Sequence, residues 1–341
     1  MHFPTAVTAL CLASGATALY PTRVVYEYPQ NHTWFENLAV RRNGSILITP
    51  EDHPNHVILS INPFDNSSAT TVAYLPGNAS LGITEGAPDV FYAINTNENL
   101  DPPSTASGLT RIYKLDFTCN NTHGLPGVSE LATFPDHPFL NGLTTFNETL
   151  LLAADSANGS VIAVDTVTGK YWTIAHDPLM APRPTGDLAE GINGVRFLNG
   201  TLHFLTSQQH LYASLELDEN AEPISNASLI AYAEKEKGVW PNWDDFALTK
   251  DGVAYAATEQ GQSIQRISRN GTVEVIAGGL NSTDVLEPSS AQFGRTEKDK
   301  NTLYVTSTGG YVYPAQTVNG PVSAPARILA IDLDISSECY S

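Results

Sequence analysis

Positive charge is scarce in this chain of 341 residues: 17 Lys and Arg stand against 36 Asp and Glu, a net charge of −19. A nucleic acid needs clustered Lys and Arg, so it is not an expected partner. The acidity serves solubility before anything specific. Cysteine is nearly absent, at 3 residues with no Cys-x-x-Cys pair, which leaves no thiol redox motif. No internal run reaches the ~18 apolar residues of a membrane span, so no membrane partner is expected. Familiar catalytic signatures are missing as well. The chain has no Gly-x-Ser-x-Gly elbow, no His-Glu-x-x-His and no Gly-x-Gly-x-x-Gly. No segment keeps a 3.6-residue apolar period over three turns, which argues against helices. What remains is an apolar fraction of 42%, enough for a folded core.

The N-terminus has the form of a leader. The apolar stretch Ala6–Ala13 runs to Ala16-Thr17-Ala18, a small-x-small cleavage site, although His2 is its only candidate basic residue. We read residues 1–18 as a signal peptide and 19–341 as one domain; the alternative is a buried N-terminal strand. Asn-x-Ser/Thr sequons occur at Asn31, Asn43, Asn66, Asn78, Asn120, Asn147, Asn158, Asn199, Asn226, Asn270 and Asn281. Chance would give about four, so a secreted glycoprotein is expected. Four of these, Asn43, Asn158, Asn199 and Asn270, precede Gly and also suit type I′ hairpin turns. Once Cys11 is removed with the leader, Cys119 and Cys339 remain as one possible disulfide; two free thiols are the alternative.

A short apolar strand pattern recurs, anchored at Ile46, Val90, Leu150, Leu202, Val253 and Leu303, at intervals near 50 residues. A shorter apolar run precedes each of several anchors, as in Leu38-Ala39-Val40, Gly142-Leu143-Thr144 and Phe246-Ala247-Leu248. Third and fourth runs follow, as in Ser160–Val164 and Tyr171–Ile174. Four short antiparallel strands repeated six times describe an all-β, six-bladed β-propeller. A solenoid would show shorter repeats, and paired β-sandwiches would lack the period.

In a propeller the first strand of each blade is innermost, so residues at its start converge on the channel mouth. The ring candidates are Glu36, Glu85, Asn141, Asn193, Asp244 with Asp245, and Ser289 with Ser290. Their Glu, Asn and Asp oxygens suit a hard divalent cation such as Ca²⁺. The plainer alternative is that they satisfy backbone groups at strand starts. His53 and His56 have loose metal-ligand spacing but read as an exposed loop. Arg196 sits in an inner strand and is either paired structurally or a donor to substrate. Asp155 reads as a structural hydrogen-bonding position, matched in other blades by Ser207, Thr258 and Ser307. The Pro-rich stretch Asp177–Glu190 reads as a lid over the mouth or a plain connection.

The segments TWFENLAV, FLNGLTTFNETLLLAADS, GINGVRFLNGTLHF, NWDDFALTKDGVAYAAT and SSAQFGRTEKDKNTLYVTS resemble the six-bladed propellers of the senescence marker protein/gluconolactonase family, from about Val24 to Asp334. That resemblance implies Glu36, Asn193 and Asp244 as metal ligands and Asn141 as a substrate contact. It also implies departures. The family's Pro-Asp-Gly is replaced by Trp243-Asp244-Asp245, leaving open which Asp faces the channel. The family's substrate-binding Arg near the blade-3 Asn is missing, and Pro138-Phe139-Leu140 stands there. An apolar substrate is therefore expected, with Trp240, Trp243, Phe139 and Phe293 as an aromatic wall or as packing between blades.

The Asp-Asp-Phe-Ala-Leu and Ile-Asn-Gly-Val motifs resemble the family's secreted fungal branch, which includes hetero-Diels–Alderases of tropolone-sesquiterpenoid biosynthesis. That reaction requires an apolar cavity and one or two donors but no nucleophile. The leading expectation is a small-molecule enzyme of this kind, with Asn141, Asn193, Asp244 and Arg196 as catalytic candidates and no cofactor. The alternatives are a divalent-metal-dependent lactonase and a binding propeller without activity.

Overall fold

The structure is a computed structural model that describes residues 19–51, 55–65, 68–100, 103–105, 110–119, 124–183 and 190–334. The leader expected over residues 1–18, Cys339, His53 and the sequons Asn66 and Asn120 lie outside the described residues.

The chain begins with β1 (Thr22–Glu27) and then lays down six four-stranded antiparallel sheets. Blade 1 is β2 (Trp34–Val40), β3 (Ile46–Glu51), β4 (Val57–Ile61) and β5 (Thr70–Tyr74). Blade 2 starts with β6 (Ala79–Glu85) and β7 (Val90–Thr96). A hairpin, β8 (Glu98–Leu100) and β9 (Pro103–Thr105), then interrupts it before β10 (Arg111–Asp116) and β11 (Gly127–Thr133). Blade 3 is β12 (Leu140–Asn147), β13 (Leu150–Asp155), β14 (Ser160–Asp165) and β15 (Tyr171–His176). Blade 4 is β16 (Ile192–Leu198), β17 (Thr201–Thr206), β18 (Leu211–Glu216) and β19 (Ser228–Tyr232). Blade 5 is β20 (Phe246–Leu248), β21 (Ala254–Ala257), β22 (Ser263–Ile267) and β23 (Val273–Gly278). Blade 6 has β24 (Pro288–Phe293) and β25 (Thr302–Ser307), an inserted hairpin of β26 (Ala315–Thr317) and β27 (Gly320–Val322), and then β28 (Arg327–Asp332).

The outer strand of blade 6 is β1, paired antiparallel with β28 from Thr22↔Ile331 to Glu27↔Arg327. The two ends of the chain therefore share one sheet, and the ring is closed by backbone hydrogen bonds rather than by packing alone. Arg327 adds an ion pair to Glu27 across the same seam.

Each sheet is buried on both faces, which is why the second strands read as continuous apolar runs. In β13, Leu151 and Ala153 join the core between blades 2 and 3, whereas Leu152 and Ala154 join the core between blades 3 and 4. The period-2 alternation of a strand is thus present but divides two apolar environments instead of core from solvent. Burying each such Leu contributes about 1.5–3 kcal/mol. Six apolar clusters of this kind lie among the described residues, one at each blade junction.

The inner strands crowd one another around the axis. A Cβ on Gly142 would lie 2.2 Å from the Asn193 carbonyl oxygen, and one on Gly194 would lie 2.4 Å from Asp245 Oδ1. The two Asn-Gly pairs are therefore not hairpin turns. Their glycines let the neighbouring inner strand pass, and their asparagines are fixed at the start of β12 and β16.

Candidate functional site

All six inner strands run the same way along the axis, so the channel has two different mouths. Strand starts form the first and strand ends form the second. The structure brings Glu36, Asn141, Asn193, Asp244 and Ser289 to the first mouth. It does not bring Glu85 there: Glu85 is the last residue of β6, at the second mouth, where it pairs with Arg295 and accepts a hydrogen bond from the Asp89 N–H. The cause is where β6 begins. It starts at Ala79, so its level with the Asn-Gly pairs is Leu81-Gly82, and Leu81 turns into the core between blades 2 and 3.

At the first mouth the Asn193 amide Nδ2 donates to Asp244 Oδ1 at 2.8 Å and to Ser207 Oγ at 3.0 Å. Glu36 Oε2 accepts from the Trp34 indole N–H at 2.6 Å. All four candidates, Glu36, Asn141, Asn193 and Asp244, are buried. The side-chain oxygens of Asn141 and Asn193 are buried without a partner. Such orphaned acceptors are costly unless a ligand supplies what they lack. Ser289 does not share this character, since its hydroxyl donates to the Phe35 carbonyl at 2.6 Å and contacts Thr306 Oγ1 at 2.9 Å.

The two adjacent aspartates divide. Asp244 joins Asn193 at the mouth, and Asp245 points into the channel beneath it. There Asp245 Oδ2 accepts from Asn37 Nδ2 at 2.7 Å and from Arg196 Nη2 at 3.0 Å, while its Oδ1 accepts the Phe246 N–H at 2.7 Å. Ser290 reaches the same network through Asn37 Oδ1 at 2.9 Å. This network plugs the axis between the two mouths. Arg196 is therefore paired structurally on the far side of the plug, away from Asn141 and Asn193.

The first mouth also gathers carboxyls that carried no sequence signal. Glu51 ends β3, Glu98 opens the hairpin in blade 2, Glu190 precedes blade 4, Glu259 begins a 3-10 turn in blade 5, and Glu287 precedes blade 6. Burial, then repulsion from Glu51, holds the Glu36 carboxyl well above the usual carboxylate range, against the opposing bond from Trp34. Burial, then repulsion from Glu36, Glu259 and Glu190, does the same to Asp244. Glu259 is raised by burial and by Glu190. Glu98 and Glu190 are each pushed up to about 7, mainly by burial. Glu287 is raised by burial, yet its carboxylate holds the Val312 and Tyr313 N–H groups at 3.0 Å each and thereby anchors the start of the blade-6 insertion. The signal for this field lies in the tertiary structure, because each carboxyl belongs to a different blade.

The oxygen-only donor set, two orphaned amide oxygens beside two crowded carboxyls, fits a hard divalent cation such as Ca²⁺. Among the described residues no group of three or more His, Cys, Asp and Glu side chains is placed to hold a metal. The amide oxygens of Asn141 and Asn193 are thus essential to any such site.

The expected aromatic wall is mostly elsewhere. Trp243 is fully buried between blades 4 and 5, with its indole N–H on Gln265 at 2.7 Å. Phe139 packs between blades 2 and 3, and Phe293 lies at the second mouth against Tyr255. Each aromatic ring has more apolar surface to bury at a junction than at a polar mouth. Trp240 alone stays half-buried on the rim, stacked on His210 at 4.4 Å with Lys235 5.0 Å from its ring centre. In the neighbouring blade-6 insertion Tyr311 meets Trp34 edge-on at 6.5 Å and His32 at 5.5 Å. His56 lies in a loop with its ring on the Pro76 carbonyl. Asp155 is a structural hub, accepting from Asn158 at 2.7 Å and sharing a 2.5 Å contact with His137, a partner that sequence reasoning missed. Of the stretch Asp177–Glu190, residues 184–189 lie outside the described residues.

No family model matches the chain. It is 27% identical over 327 residues to a Sarocladium schorii protein named "Putative hetero-Diels-Alderase asR5", covering 86% of this chain and 79% of that one. It is 24% identical over 323 residues to a Phoma sp protein named "Putative hetero-Diels-Alderase", covering 84% and 86%. Among solved structures, regucalcin from Agrobacterium tumefaciens, described as a calcium-binding protein, superposes with a TM-score of 0.59 at 14% identity, over 92% of this chain and 95% of that one. A gluconolactonase from Xanthomonas campestris superposes with a TM-score of 0.58 at 11% identity, over 94% and 92%. The chain is a six-bladed β-propeller with the fold of the senescence marker protein/gluconolactonase group, and it is a distant sequence relative of fungal proteins that carry the hetero-Diels-Alderase name.

Proposed function

We propose that the protein is a hetero-Diels–Alderase that joins a tropolone-type quinone methide to a sesquiterpene alkene at the first mouth. The observation that carries this reading is the likeness to two fungal proteins with that name over more than four fifths of the chain. The chemistry asks little of side chains. Three electron pairs shift in a ring, two bonds form between the partners, and nothing leaves, so neither nucleophile nor base is needed. The protein contributes position and polarity. In this reading the stacked Trp240 and His210 rings, with the edge-on Tyr311 and Trp34, give aromatic surface at the mouth. The amide oxygens of Asn141 and Asn193 accept from hydroxyl groups of the substrates, and the raised carboxyls of Glu36 and Asp244 hold protons that are shared with the heterodiene carbonyl. The test is adduct formation from a quinone-methide precursor and a humulene-type alcohol. The expected result is faster, stereoselective adduct formation. Yield and stereochemistry equal to the no-enzyme control would overturn the reading.

A second reading, a metal-dependent lactonase, is favoured by one observation, the orphaned oxygens of Asn141 and Asn193 beside Glu36 and Asp244. Glu36, Asn193 and Asp244 would hold the ion, which would supply carbonyl polarisation when bound. Asp244 would then be both ligand and proton acceptor. Activity abolished by EDTA, with a stoichiometric divalent ion in the purified protein, would favour this reading over the first.

We further propose that the protein is secreted and glycosylated, with cleavage after Ala18 and a Cys119–Cys339 disulfide. Intact mass before and after deglycosylation, and thiol titration, test these points. Cys119 is exposed, and an accessible free thiol there would contradict the bridge.

A further inference from the structure

The second mouth holds a pocket of about 300 Å³ that the reading of the first mouth does not use. Every blade contributes to its wall through its inner strand, with Val40, Ile83, Leu143, Arg196, Leu248 and Phe293 in chain order. It therefore lies on the channel axis, below the Asp245 plug. Aliphatic and aromatic side chains share the wall about equally with polar ones, which are Thr84, Glu85, Arg196, Gln292 and Arg295. Arg196 donates from Nη1 to the Val195 carbonyl at 2.8 Å and from Nη2 to Asp245 at 3.0 Å, but its Nε–H is buried with no partner. Gln292 adds an amide to the wall, and Arg295 adds a second guanidinium. A concavity of this size that combines an apolar wall section with converging donors has the form of a small-molecule site.

The charges choose the ligand class. Arg196 is already neutralised by Asp245, and Arg295 by Glu85. An anion would bring an uncompensated charge into this wall, which is costly. A neutral oxygen acceptor would satisfy the spare Nε–H without that penalty. We infer that the second mouth binds a neutral molecule of about a dozen heavy atoms with an apolar body, which meets Val40, Ile83, Leu143, Leu248 and Phe293, and one accepting oxygen, a ring-bearing ketone in type.

The test is titration of the full protein with β-ionone, a neutral ketone of this class, read by calorimetry and by the Arg196 Nε–H resonance. The expected result is saturable one-to-one binding that moves this resonance more than that of any other arginine. Leu248→Trp, which fills the pocket from a partly buried position, should weaken binding by about tenfold or more without lowering the melting temperature. The anion 4-cyclohexylbutanoate should bind more weakly than the ketone. Asn141→Ala, at the first mouth, should leave the β-ionone affinity unchanged, so failure of the function proposed there and failure of this site are distinguishable. No saturable binding, unchanged affinity in Leu248→Trp, tighter binding of the anion, or loss of binding in Asn141→Ala would each overturn the proposal.

Discussion

The two mouths of the channel are built from opposite ends of the same six strands, yet their chemistry differs. The first gathers carboxyls and orphaned amide oxygens. The second mixes apolar side chains with paired charges, Arg196 with Asp245 and Arg295 with Glu85. What separates them is one residue step, from Asp244 to Asp245. Successive residues of an extended chain point in different directions. Asp244 therefore feeds the acidic mouth, and Asp245 turns inward to meet Arg196 and Asn37. The lesson is that two adjacent aspartates at a propeller axis can carry two unrelated roles, a site group and a structural plug.

The comparison is broken most severely at the plug. Asp245→Ala leaves Arg196 buried and unpaired and removes an acceptor from Asn37, so we expect a loss of about 3–5 kcal/mol in unfolding free energy. Urea denaturation checks this, and a loss below about 1 kcal/mol would mean that the plug is not structural. Gly142→Ala is next. The new Cβ meets the Asn193 backbone, and a loss of about 1–3 kcal/mol is expected, together with a displaced Asn193. A smaller effect comes from Trp34→Phe, which removes the indole donor to Glu36 and should cost about 1 kcal/mol.

The acidic field makes a prediction with a definite sign. The folded-state pKa values of Glu98 and Glu190, about 7, lie above the ordinary 4.5. The folded protein therefore binds more protons than the unfolded chain between those values. This contribution to stability is fully present below about pH 4.5 and is lost as pH rises to about 7. The melting temperature should thus fall by a few degrees between about pH 5 and pH 8. The double variant Glu98→Gln/Glu190→Gln should flatten that slope. A melting temperature that rises over this range would contradict the field as described. If the cation reading holds, Ca²⁺ should raise the melting temperature most at the higher pH, where the carboxylates are ionised.

Much of this was legible in the sequence, and the limits have physical causes. The six anchors from Ile46 to Leu303 fall in or beside the second strands β3, β7, β13, β17, β21 and β25, because doubly buried strands need unbroken apolar runs. The closure by β1 was not legible. TRVVYE carries no mark that distinguishes a partner at the far end of the chain from a local one. Asn141 and Asn193 were legible because Asn-Gly outside a hairpin needs another explanation, and the crowded axis supplies it. Glu85 was misplaced because blade 2 carries Leu81 at the Asn level, and the nearest carboxylate in the chain, Glu85, stands at the far end of the same strand. Arg196 could be placed on an inner strand but not on one side of the plug, since that depends on Asp245, which is distant in sequence. The carboxyls at 51, 98, 190, 259 and 287 were invisible for the same reason.

The central claim is that chemistry belongs to the first mouth. Its most direct test is the rate of adduct formation by the Asn141→Ala/Asn193→Ala double variant, with folding checked by its melting curve and by β-ionone binding at the second mouth. We predict a folded protein whose adduct yield and stereochemistry match the no-enzyme control. A folded double variant that retains the wild-type rate and selectivity would contradict the account.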